Sequence, residues 1–253
     1  MAVQNAEGII LRKYLLRETS YILVIFTKEF GKITGVMKGI RNPYPQFAGD
    51  FEIFTRCGIC FYKRKKSSMD LITQCDALES FLMARKSIER LTYANYFIEL
   101  TGIVAIDHDQ NENLYNVLLK SLRLLASSAS AKRSARIFEL KFLNALGLSP
   151  EFDACVMCGS RDNGLVRFSI KNGGVLCGKC SEEKAHGIEI SPGTVNFMRK
   201  IQLNEIEDTG RFKVSAKVGQ ETEMILKRFI AYHINRPIKS LNFQDRLCKA
   251  GIL

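Results

Sequence analysis

The sequence contains no long hydrophobic run and no recognisable leader peptide. No stretch among its 253 residues approaches the roughly 18 consecutive apolar residues that a membrane-spanning helix requires. The first residues, MAVQNAEGIILRKYLL, lack a basic region, an extended apolar core and a small-residue cleavage site, so they do not read as a secretory signal. Hydrophobic residues make up 46% of the chain, which excludes intrinsic disorder over its whole length. We therefore expect a folded cytoplasmic protein without a membrane partner.

The sequence also lacks the short motifs of common catalytic sites. It has no G-x-x-x-x-G-K-[ST] phosphate loop, no G-x-G-x-x-G fingerprint and no G-x-S-x-G nucleophile elbow. Its three histidines, His108, His186 and His233, lie in unrelated contexts. His108 stands between two aspartates, but a solvated helix end explains this better than a metal site, because neighbouring side chains differ in orientation. The sequence predicts that the protein is not an enzyme.

Basic residues outnumber acidic ones along the whole chain. Thirty-seven Lys and Arg residues stand against twenty-six Asp and Glu, which gives a formal net charge of +11. The excess is spread out and forms no basic tail, so any polyanion must be held by a folded surface. Solubility would explain the same charge, and the charge alone does not decide between the two interpretations.

Residues 6–79 show the pattern of a small β-barrel. Turn residues separate five runs rich in β-branched and aromatic residues, namely AEGIILRKYLL, SYILVIFTKE, GKITGVMKGI, DFEIFTRCGICFYK and MDLITQCDALE. Short strands at this spacing, with no helical period between them, are typical of an antiparallel barrel. Five strands in fewer than eighty residues match the size of an OB-fold. We predict a five-stranded OB-fold barrel over residues 1–80.

From residue 81 onwards the apolar residues recur with a helical period. Helices are predicted over 81–106, from 114 to about 125, over 132–146, from Pro192 onwards, and over 219–235 as the last one. The helix over 132–146 is apolar nearly all round, which is typical of a helix buried in a bundle. The predicted fold class is therefore α+β, with a helical domain over 81–253 and a cysteine module inserted at about 151–185.

Four of the eight cysteines have the spacing of a structural zinc site. Cys155 and Cys158 are separated by two residues, eighteen residues follow, and Cys177 and Cys180 are again separated by two. Each short spacing lets one tight turn aim two sulfurs at the same ion, and two such turns complete a closed tetrahedral set. We predict one structural Zn²⁺ per chain on these four residues. The alternative is four unrelated buried thiols.

A third C-x2-C pair, Cys57 and Cys60, does not fit this scheme. It lies inside a predicted strand, where residues three apart point to opposite faces, and it has no partner pair nearby. We interpret both residues, and the lone Cys75 and Cys248, as packing residues.

Several basic residues accompany aromatic residues in the predicted barrel. Lys63, Arg64, Lys65 and Lys66 follow one strand directly, and Arg12, Lys13, Lys38 and Arg41 lie on or beside others. The aromatic residues nearby are Tyr44, Phe47, Phe61 and Tyr62. Such a surface can bind single strands by attracting phosphates and stacking bases. The alternative for residues 63–66 is a solvated hairpin tip.

In combination, these segments resemble the RecO family of bacterial recombination mediators. The similarity opens with EGIILRKYLLRETSYILVIFTKEFGKITGVMKGIR and continues with FELKFLNALGLSPEFDACVMCG. It closes with GGVLCGKC and INRPIKSLNF, so it covers nearly the whole chain. The order and spacing of the four segments, more than any single one, carry the resemblance.

The resemblance implies an N-terminal OB-fold, a helical domain and, in many members, a four-cysteine zinc module. It implies binding of single- and double-stranded DNA at the nucleoid and annealing of complementary strands. It also implies joint action with RecR and single-stranded DNA-binding protein, which lets RecA load, without a turnover site. Arg12, Lys38 and Arg41 fall where the barrel of the family is basic. One departure concerns residues 42–45, Asn-Pro-Tyr-Pro, where the family usually continues with basic and Ser residues.

The resemblance further implies a site for the acidic, phenylalanine-ended tail of single-stranded DNA-binding protein. Such a tail needs an apolar pocket for its ring and cations for its carboxylates. Residues 114–146 offer apolar Leu118, Leu122 and Phe138, and basic Arg123, Lys132, Arg133 and Arg136. The alternative is that these apolar residues fill the helical bundle.

Two functions of other classes stay open. A zinc-stabilised interaction module would recruit partners through the helical domain and touch DNA only incidentally. Steep salt dependence of DNA binding distinguishes a DNA-binding mediator from such a module, because phosphate contacts release counterions. A nucleic-acid enzyme would instead show metal-dependent strand cleavage.

Overall fold

The computed structural model describes residues 3–39, 52–64, 69–161, 165–184 and 187–251. The chain forms two compact units, one of residues 1–127 with 238–253 and the other of residues 128–237. None of the helices in the described residues is both long enough and apolar enough to cross a membrane. The first unit contains more than the predicted 1–80 domain, so a separate barrel domain with that boundary remains a proposal.

The first unit begins with a closed five-stranded barrel. Its strands are β1 (Val3–Leu16), β2 (Ser20–Thr27), β3 (Gly31–Met37), β4 (Arg56–Tyr62) and β5 (Asp70–Glu79). They pair in the order β1-β2-β3-β5-β4, and β4 pairs with β1 to close the barrel. All pairs are antiparallel except β3 with β5. The predicted OB-fold barrel is therefore confirmed.

Alternation of buried and outward residues builds the barrel core. In β3, burial alternates strictly along GKITGVM, so Ile33 and Met37 point inward and Lys32, Thr34 and Val36 point outward. Ile10, Leu23 and Ile25 join them in the same cluster of buried side chains. The turn from β2 to β3 needs a glycine, because Gly31 has φ +66° and an added Cβ would meet the backbone of Asp109.

Four helices complete the first unit. They are α1 (Leu82–Arg85), α2 (Ile88–Val104), α3 (Glu112–Ser127) and α9 (Lys239–Lys249). The single helix predicted over 81–106 is two helices, because the Ser87 side chain accepts from the Arg90 amide and begins a new helix there. Helix α9, which the sequence pattern did not predict, packs against α2. The Glu99 carboxylate of α2 accepts from the Lys239 and Ser240 amides and so caps α9.

In the described residues, the second unit combines five helices with a small sheet. Helices α6 (Pro192–Leu203), α7 (Ile206–Thr209) and α8 (Ala216–Ile234) pack against the buried helix α4 (Ala131–Ala145). The sheet has the order β7-β6-β8, with β6 (Leu165–Ser169), β7 (Gly174–Cys177) and β8 (Ile188–Glu189). A short helix α5 (Gly178–Lys184) follows β7. The burial predicted for the helix over 132–146 is confirmed, because both its apolar residues and its central Arg136 and Glu139 are buried.

Candidate metal centre and nucleic-acid face

The four predicted cysteine ligands meet at one place in the second unit. The sulfur atoms of Cys155, Cys158, Cys177 and Cys180 all lie within 4.8 Å of one another. Cys158 Sγ and Cys177 Sγ are 3.7 Å apart. Zn–S bonds of about 2.3 Å in a tetrahedron place sulfurs about 3.8 Å apart, so this arrangement can hold one metal ion. In the described part of the chain, no other group of Cys, His, Asp or Glu residues qualifies as a metal site.

Two tight turns position the sulfurs. In the first, the Gly159 amide donates to the Cys155 carbonyl at 2.8 Å, and Gly159 has φ +72°, which suits a residue without a side chain. In the second, β7 ends at Cys177 and α5 begins at the next residue, so Cys180 lies in the first turn of that helix. Neither turn encloses an apolar core of its own, and a bound metal would stabilise the two turns in place of such a core.

The chemistry of the thiols also fits a cation. Burial alone would raise the pKa of Cys155, but hydrogen bonds from the backbone amides of Cys177, Met157 and Cys158 outweigh it and lower the pKa to about 6. Hydrogen bonds with the Cys158 and Cys177 thiols raise the pKa of Cys180 to about 12. The Cys155 thiolate therefore forms readily, whereas Cys180 retains its proton at neutral pH, and a metal ion would replace that proton.

The remaining C-x2-C pair lies on β4, where Cys57 is buried as predicted but Cys60 is not, and the lone Cys248, predicted to be a packing residue, is exposed. Cys57 and Cys75 are buried in the barrel core, with 1% and 2% of their surface exposed. Contact with Cys75 and burial raise the pKa of Cys57, which keeps this thiol protonated. Cys60 points outward and contacts the side chains of Asn5 and Gln74. Cys57 and Cys60 therefore lie on opposite faces of β4.

Two of the predicted DNA-binding residues share the outer face of β1, β2 and β3. Arg12 pairs with Val24 of β2, which pairs with Thr34 of β3, and none of these positions belongs to the barrel core. Lys38 lies one residue after the end of β3 and continues its alternation, so it falls on the same outward side as Thr34 and Val36. Arg12 and Lys38 are both exposed. Neither forms an ion pair with any residue that the structure describes. Strands 2 and 3 of OB-folds commonly present such a face to nucleic acids.

Tyr14 belongs to the same outer face, although the sequence pattern did not predict a role for it. It pairs with Ile22 of β2, which pairs with Val36 of β3. Tyr14 is 47% exposed, so its ring is accessible to a ligand. The signal in the sequence was its position two residues after Arg12, which places both side chains on one face of a strand. We call the surface formed by Arg12, Tyr14, Lys38 and the outward residues of β2 and β3 the barrel face.

Other predicted barrel cations differ in their surroundings. Lys13 forms an ion pair with Glu52 and lies over the Tyr21 ring, so part of its charge is neutralised. Lys63 and Arg64 follow β4 and are exposed. The predicted residues Arg41, Lys65 and Lys66, and the loop over 42–45, lie outside the described residues.

The residues predicted to hold a protein tail are mostly internal. Leu118 and Leu122 are fully buried in the first unit, and Phe138 is fully buried in the second. Their apolar surface fills the core and is not available to a peptide, which corrects the expectation of an exposed pocket. Arg136 is also buried, and it pairs with Glu139 at 3.0 Å. Of the seven, Arg123 and Lys132 are exposed and Arg133 is partly exposed.

Arg123 takes part in an ion network that joins the barrel to α3. Its guanidinium donates to Glu79 at 2.7 Å, and Glu79 lies 3.5 Å from Arg56 of β4. Arg56 in turn donates to Glu7 of β1 at 2.8 and 2.7 Å, and the Tyr115 hydroxyl of α3 donates to Glu7 at 2.6 Å. The Arg56 guanidinium lowers the pKa of Glu7, and burial opposes this effect without reversing it. We call these five residues the barrel–helix network.

Comparison with known proteins identifies the family. The sequence model described as "Recombination protein O N terminal" matches residues 1–81, and "Recombination protein O C terminal" matches residues 85–242. The chain belongs to the RecO family. A RecO relative from Pelotomaculum thermopropionicum, named DNA repair protein RecO, is 32% identical over 99% of this chain and 96% of its own length. Another of the same name, from Symbiobacterium thermophilum, is 32% identical over 99% of this chain and its entire length.

Proposed function

We propose that the chain is a DNA-binding recombination mediator in recombinational DNA repair. The family supports this, since its relatives are named DNA repair proteins. The observation that carries the proposal is the barrel face, where Arg12 and Lys38 flank the exposed ring of Tyr14. Cations attract phosphates and an aromatic ring stacks on any base, so this face would bind DNA without reading its sequence.

The proposed activity is annealing of complementary strands and assistance to RecA. The chain would bind single- and double-stranded DNA at the nucleoid in the cytoplasm. Together with RecR it would help RecA load on strands that single-stranded DNA-binding protein already coats. It would act by binding and positioning strands and would turn over no substrate. One Zn²⁺ held by the four cysteines would stabilise the fold of the second unit.

Annealing of complementary oligonucleotides, with and without single-stranded DNA-binding protein, tests this proposal. Charge reversal at both Arg12 and Lys38 should lower DNA affinity at least tenfold, because two phosphate contacts are lost. The same reversal at exposed Lys171 and Lys249 changes the net charge equally and serves as the control. Tyr14→Ala should weaken single-strand binding while leaving the salt dependence nearly unchanged. Equal binding by the two charge-reversed variants would contradict the barrel face as the DNA site.

The same assay separates the mediator from a zinc-stabilised interaction module. A mediator should bind oligonucleotides of unrelated sequence within a few-fold of one another, with affinity that falls steeply as salt rises. A module that touches DNA incidentally should bind weakly and should not accelerate annealing. Metal-dependent cleavage of the oligonucleotides would instead indicate an enzyme.

We also propose that the first unit holds the acidic tail of single-stranded DNA-binding protein beside Arg123. A cleft of about 380 Å³ lies there, lined by Phe81, Met83, Ala126 and Arg123 among others. Met83 is 54% exposed and offers apolar contact. The Arg123 side chain is 48% exposed, and although Glu79 of the same lining accepts from its Nε and Nη2, its Nη1 group remains to donate to a peptide carboxylate. An aromatic ring and a carboxylate at the end of a peptide would meet both requirements here.

Fluorescence anisotropy with a labelled acidic tail peptide tests this site. Met83→Ser should weaken binding of the peptide at least fivefold, because it removes exposed apolar surface without altering the barrel–helix network. Met157→Ser, at another exposed methionine, is the matched control. Removal of the terminal phenylalanine from the peptide should have an effect similar to that of Met83→Ser. If peptides with and without this phenylalanine bind equally, the cleft is not the tail site.

A further inference from the structure

A second basic cleft lies wholly within the unit of residues 128–237. It has a volume of about 430 Å³ and is bounded by the exposed side of α6, the segment between α7 and α8, and the first turn of α8. Three cations line it, Lys200 from α6 and Arg211 and Lys213 from the segment before α8. The described residues that line it include no aspartate or glutamate.

The three cations of this cleft have no counter-charge within the described structure. Lys200, Arg211 and Lys213 are all exposed, and none forms an ion pair with a described residue. Glu221, three residues after the lining residue Val218, accepts hydrogen bonds from the side chains of Ser191 and Thr194. Glu205, Glu207 and Asp208, in the segment between Lys200 and Arg211, form no ion pair with the three cations. Three like charges gathered without a carboxylate repel one another, so an anion that enters the cleft relieves this repulsion.

The segment that carries two of the cations is held in place. The Arg133 guanidinium of α4 donates to the Phe212 carbonyl at 3.1 Å, between Arg211 and Lys213. The Phe212 amide donates to Thr209, and the Ser215 side chain caps α8 by accepting from the Val218 amide. The cations therefore stand on a backbone that is ordered before a ligand arrives, which lowers the entropic cost of binding.

The floor of the cleft favours a phosphodiester over an acidic peptide. Of the apolar side chains that line it, Phe197 is only 6% exposed and Phe212, Val214 and Val218 are half-buried, so the described lining offers an entering side chain no fully exposed apolar side chain. Asn196 and Ser215 add polar groups at the rim. A phosphate backbone needs cations and hydrogen-bond donors rather than an apolar pocket, and both are present here.

We infer that this cleft is a second DNA site, which binds the phosphodiester backbone through Lys200, Arg211 and Lys213. The inference rests on the proposed function, because annealing requires one protein to bring two strands together. While the barrel face binds one DNA strand, the cleft supplies a separate set of phosphate contacts for a second DNA strand.

The test compares two triple variants of the full chain. In the first, Lys200, Arg211 and Lys213 are replaced by Glu. In the matched control, Lys171, Arg228 and Arg236 of the same unit, all exposed, are replaced by Glu. Zinc content and thermal unfolding of each variant establish that the fold is retained. A third variant with Lys200→Arg and Lys213→Arg keeps the charge and should retain activity.

Salt titration of single-strand binding and the rate of annealing are the two measurements. Each phosphate contact contributes about 0.7 to the slope of log affinity against log salt, so loss of three contacts should reduce the slope by roughly 2. We expect the annealing rate of the first variant to fall at least tenfold, with the control close to the unaltered protein. Unchanged slope and annealing in the first variant would overturn the inference.

The outcomes keep the inference separate from the proposed function. If the unaltered protein neither binds nor anneals DNA, the proposed function fails first. If it anneals and depends on Arg12 and Lys38 but not on the cleft, the cleft inference alone is wrong. If the first variant binds DNA normally but loses a labelled polyglutamate peptide that the control still binds, the cleft is a peptide site, and the DNA assignment is overturned.

Discussion

Replacing Glu7 by Gln should destabilise the first unit more than any ordinary surface substitution. The Glu7 carboxylate accepts two hydrogen bonds from Arg56 and one from Tyr115, and its side chain is 27% exposed. Gln is nearly isosteric, but its amide group keeps one acceptor oxygen and turns an N–H₂ group towards the donors of Arg56. The substitution therefore removes the charge and leaves part of a half-buried guanidinium without its partner.

The magnitude follows from the number and kind of hydrogen bonds. Hydrogen bonds to charged groups contribute about 1.5–3 kcal/mol each when buried, but residual exposure and the retained oxygen reduce the loss. We expect the free energy of unfolding to fall by about 2–3 kcal/mol, and Tm by about 5–10 °C for a domain of this size. Glu18→Gln, at an exposed position that forms no ion pair with a described residue, is the control and should change Tm little.

The pH dependence provides an independent check. Arg56 holds the pKa of Glu7 below its usual value of about 4.5, so the ionised carboxylate stabilises the folded state. This contribution is complete above the pKa of the unfolded chain and is lost as pH falls through the lower pKa of the folded state. The difference in stability between the unaltered protein and Glu7→Gln should therefore be full at pH 7 and shrink below about pH 4.

A double-mutant cycle tests whether the network acts as a unit. Tyr115→Phe alone should cost about 1–2 kcal/mol, because one hydrogen bond to a charged group is lost. Since both changes remove the same hydrogen bond, the cost of the double variant should be less than the sum of the two single costs. Urea unfolding monitored by circular dichroism measures all four proteins. Additive costs, or a Glu7→Gln midpoint equal to that of Glu18→Gln, would refute the reasoning.

Three further substitutions probe the metal centre, a buried ion pair and a turn. Cys177→Ser should reduce bound zinc from about one equivalent to a small fraction by elemental analysis, since three thiolates no longer close the site. The control Cys60→Ser should retain its zinc, and equal zinc in the two variants would disprove the four-cysteine site. Glu139→Gln should lower the free energy of unfolding by about 3 kcal/mol in urea, because it leaves Arg136 as a buried charge with a weaker partner. A loss below about 1 kcal/mol would show that this ion pair is not needed for stability. Gly31→Ala should lower Tm by at least about 5 °C, because φ +66° and a close backbone contact both oppose a side chain; an unchanged Tm would contradict this close approach.

The barrel was predictable because its information is local. Each strand alternates inward and outward residues, and the turns carry Gly31 or polar residues, so count and length alone indicated an OB-fold. The zinc ligands were predictable for the same reason, since the spacing of Cys155 and Cys158 fits one tight turn. The buried helix over 132–146 was evident from its nearly uniform apolar surface.

The remaining elements depend on contacts that the local sequence does not encode. The strands β6, β7 and β8 are short, and their amphipathic signal is weak beside the cysteines that flank them. The helix α9 has only one fully buried residue, Gln244, and its start is capped by Glu99 from a distant part of the chain. The helical period in residues 114–146 indicated apolar faces correctly. It could not distinguish a face that is buried in the core from an exposed face that binds a partner.

The ion pairs of the structure divide the positive charges into two groups, which the net charge of the sequence could not do. Lys28, Lys32 and Arg56 of the barrel each form an ion pair with a carboxylate, and Lys28 and Lys32 pair with Glu112 and Asp107, outside the barrel strands. These cations stabilise the first unit and offer little attraction to a ligand, because their charge is already balanced. Among the cations without such partners in the described structure, Arg12 and Lys38 share the barrel face, and Lys200, Arg211 and Lys213 line one cleft beside α6, whereas others, such as Lys171 and Lys249, lie elsewhere. The absence of a paired carboxylate together with a shared face or cleft, rather than the total of +11, therefore singles out the positive charges that we propose for DNA binding.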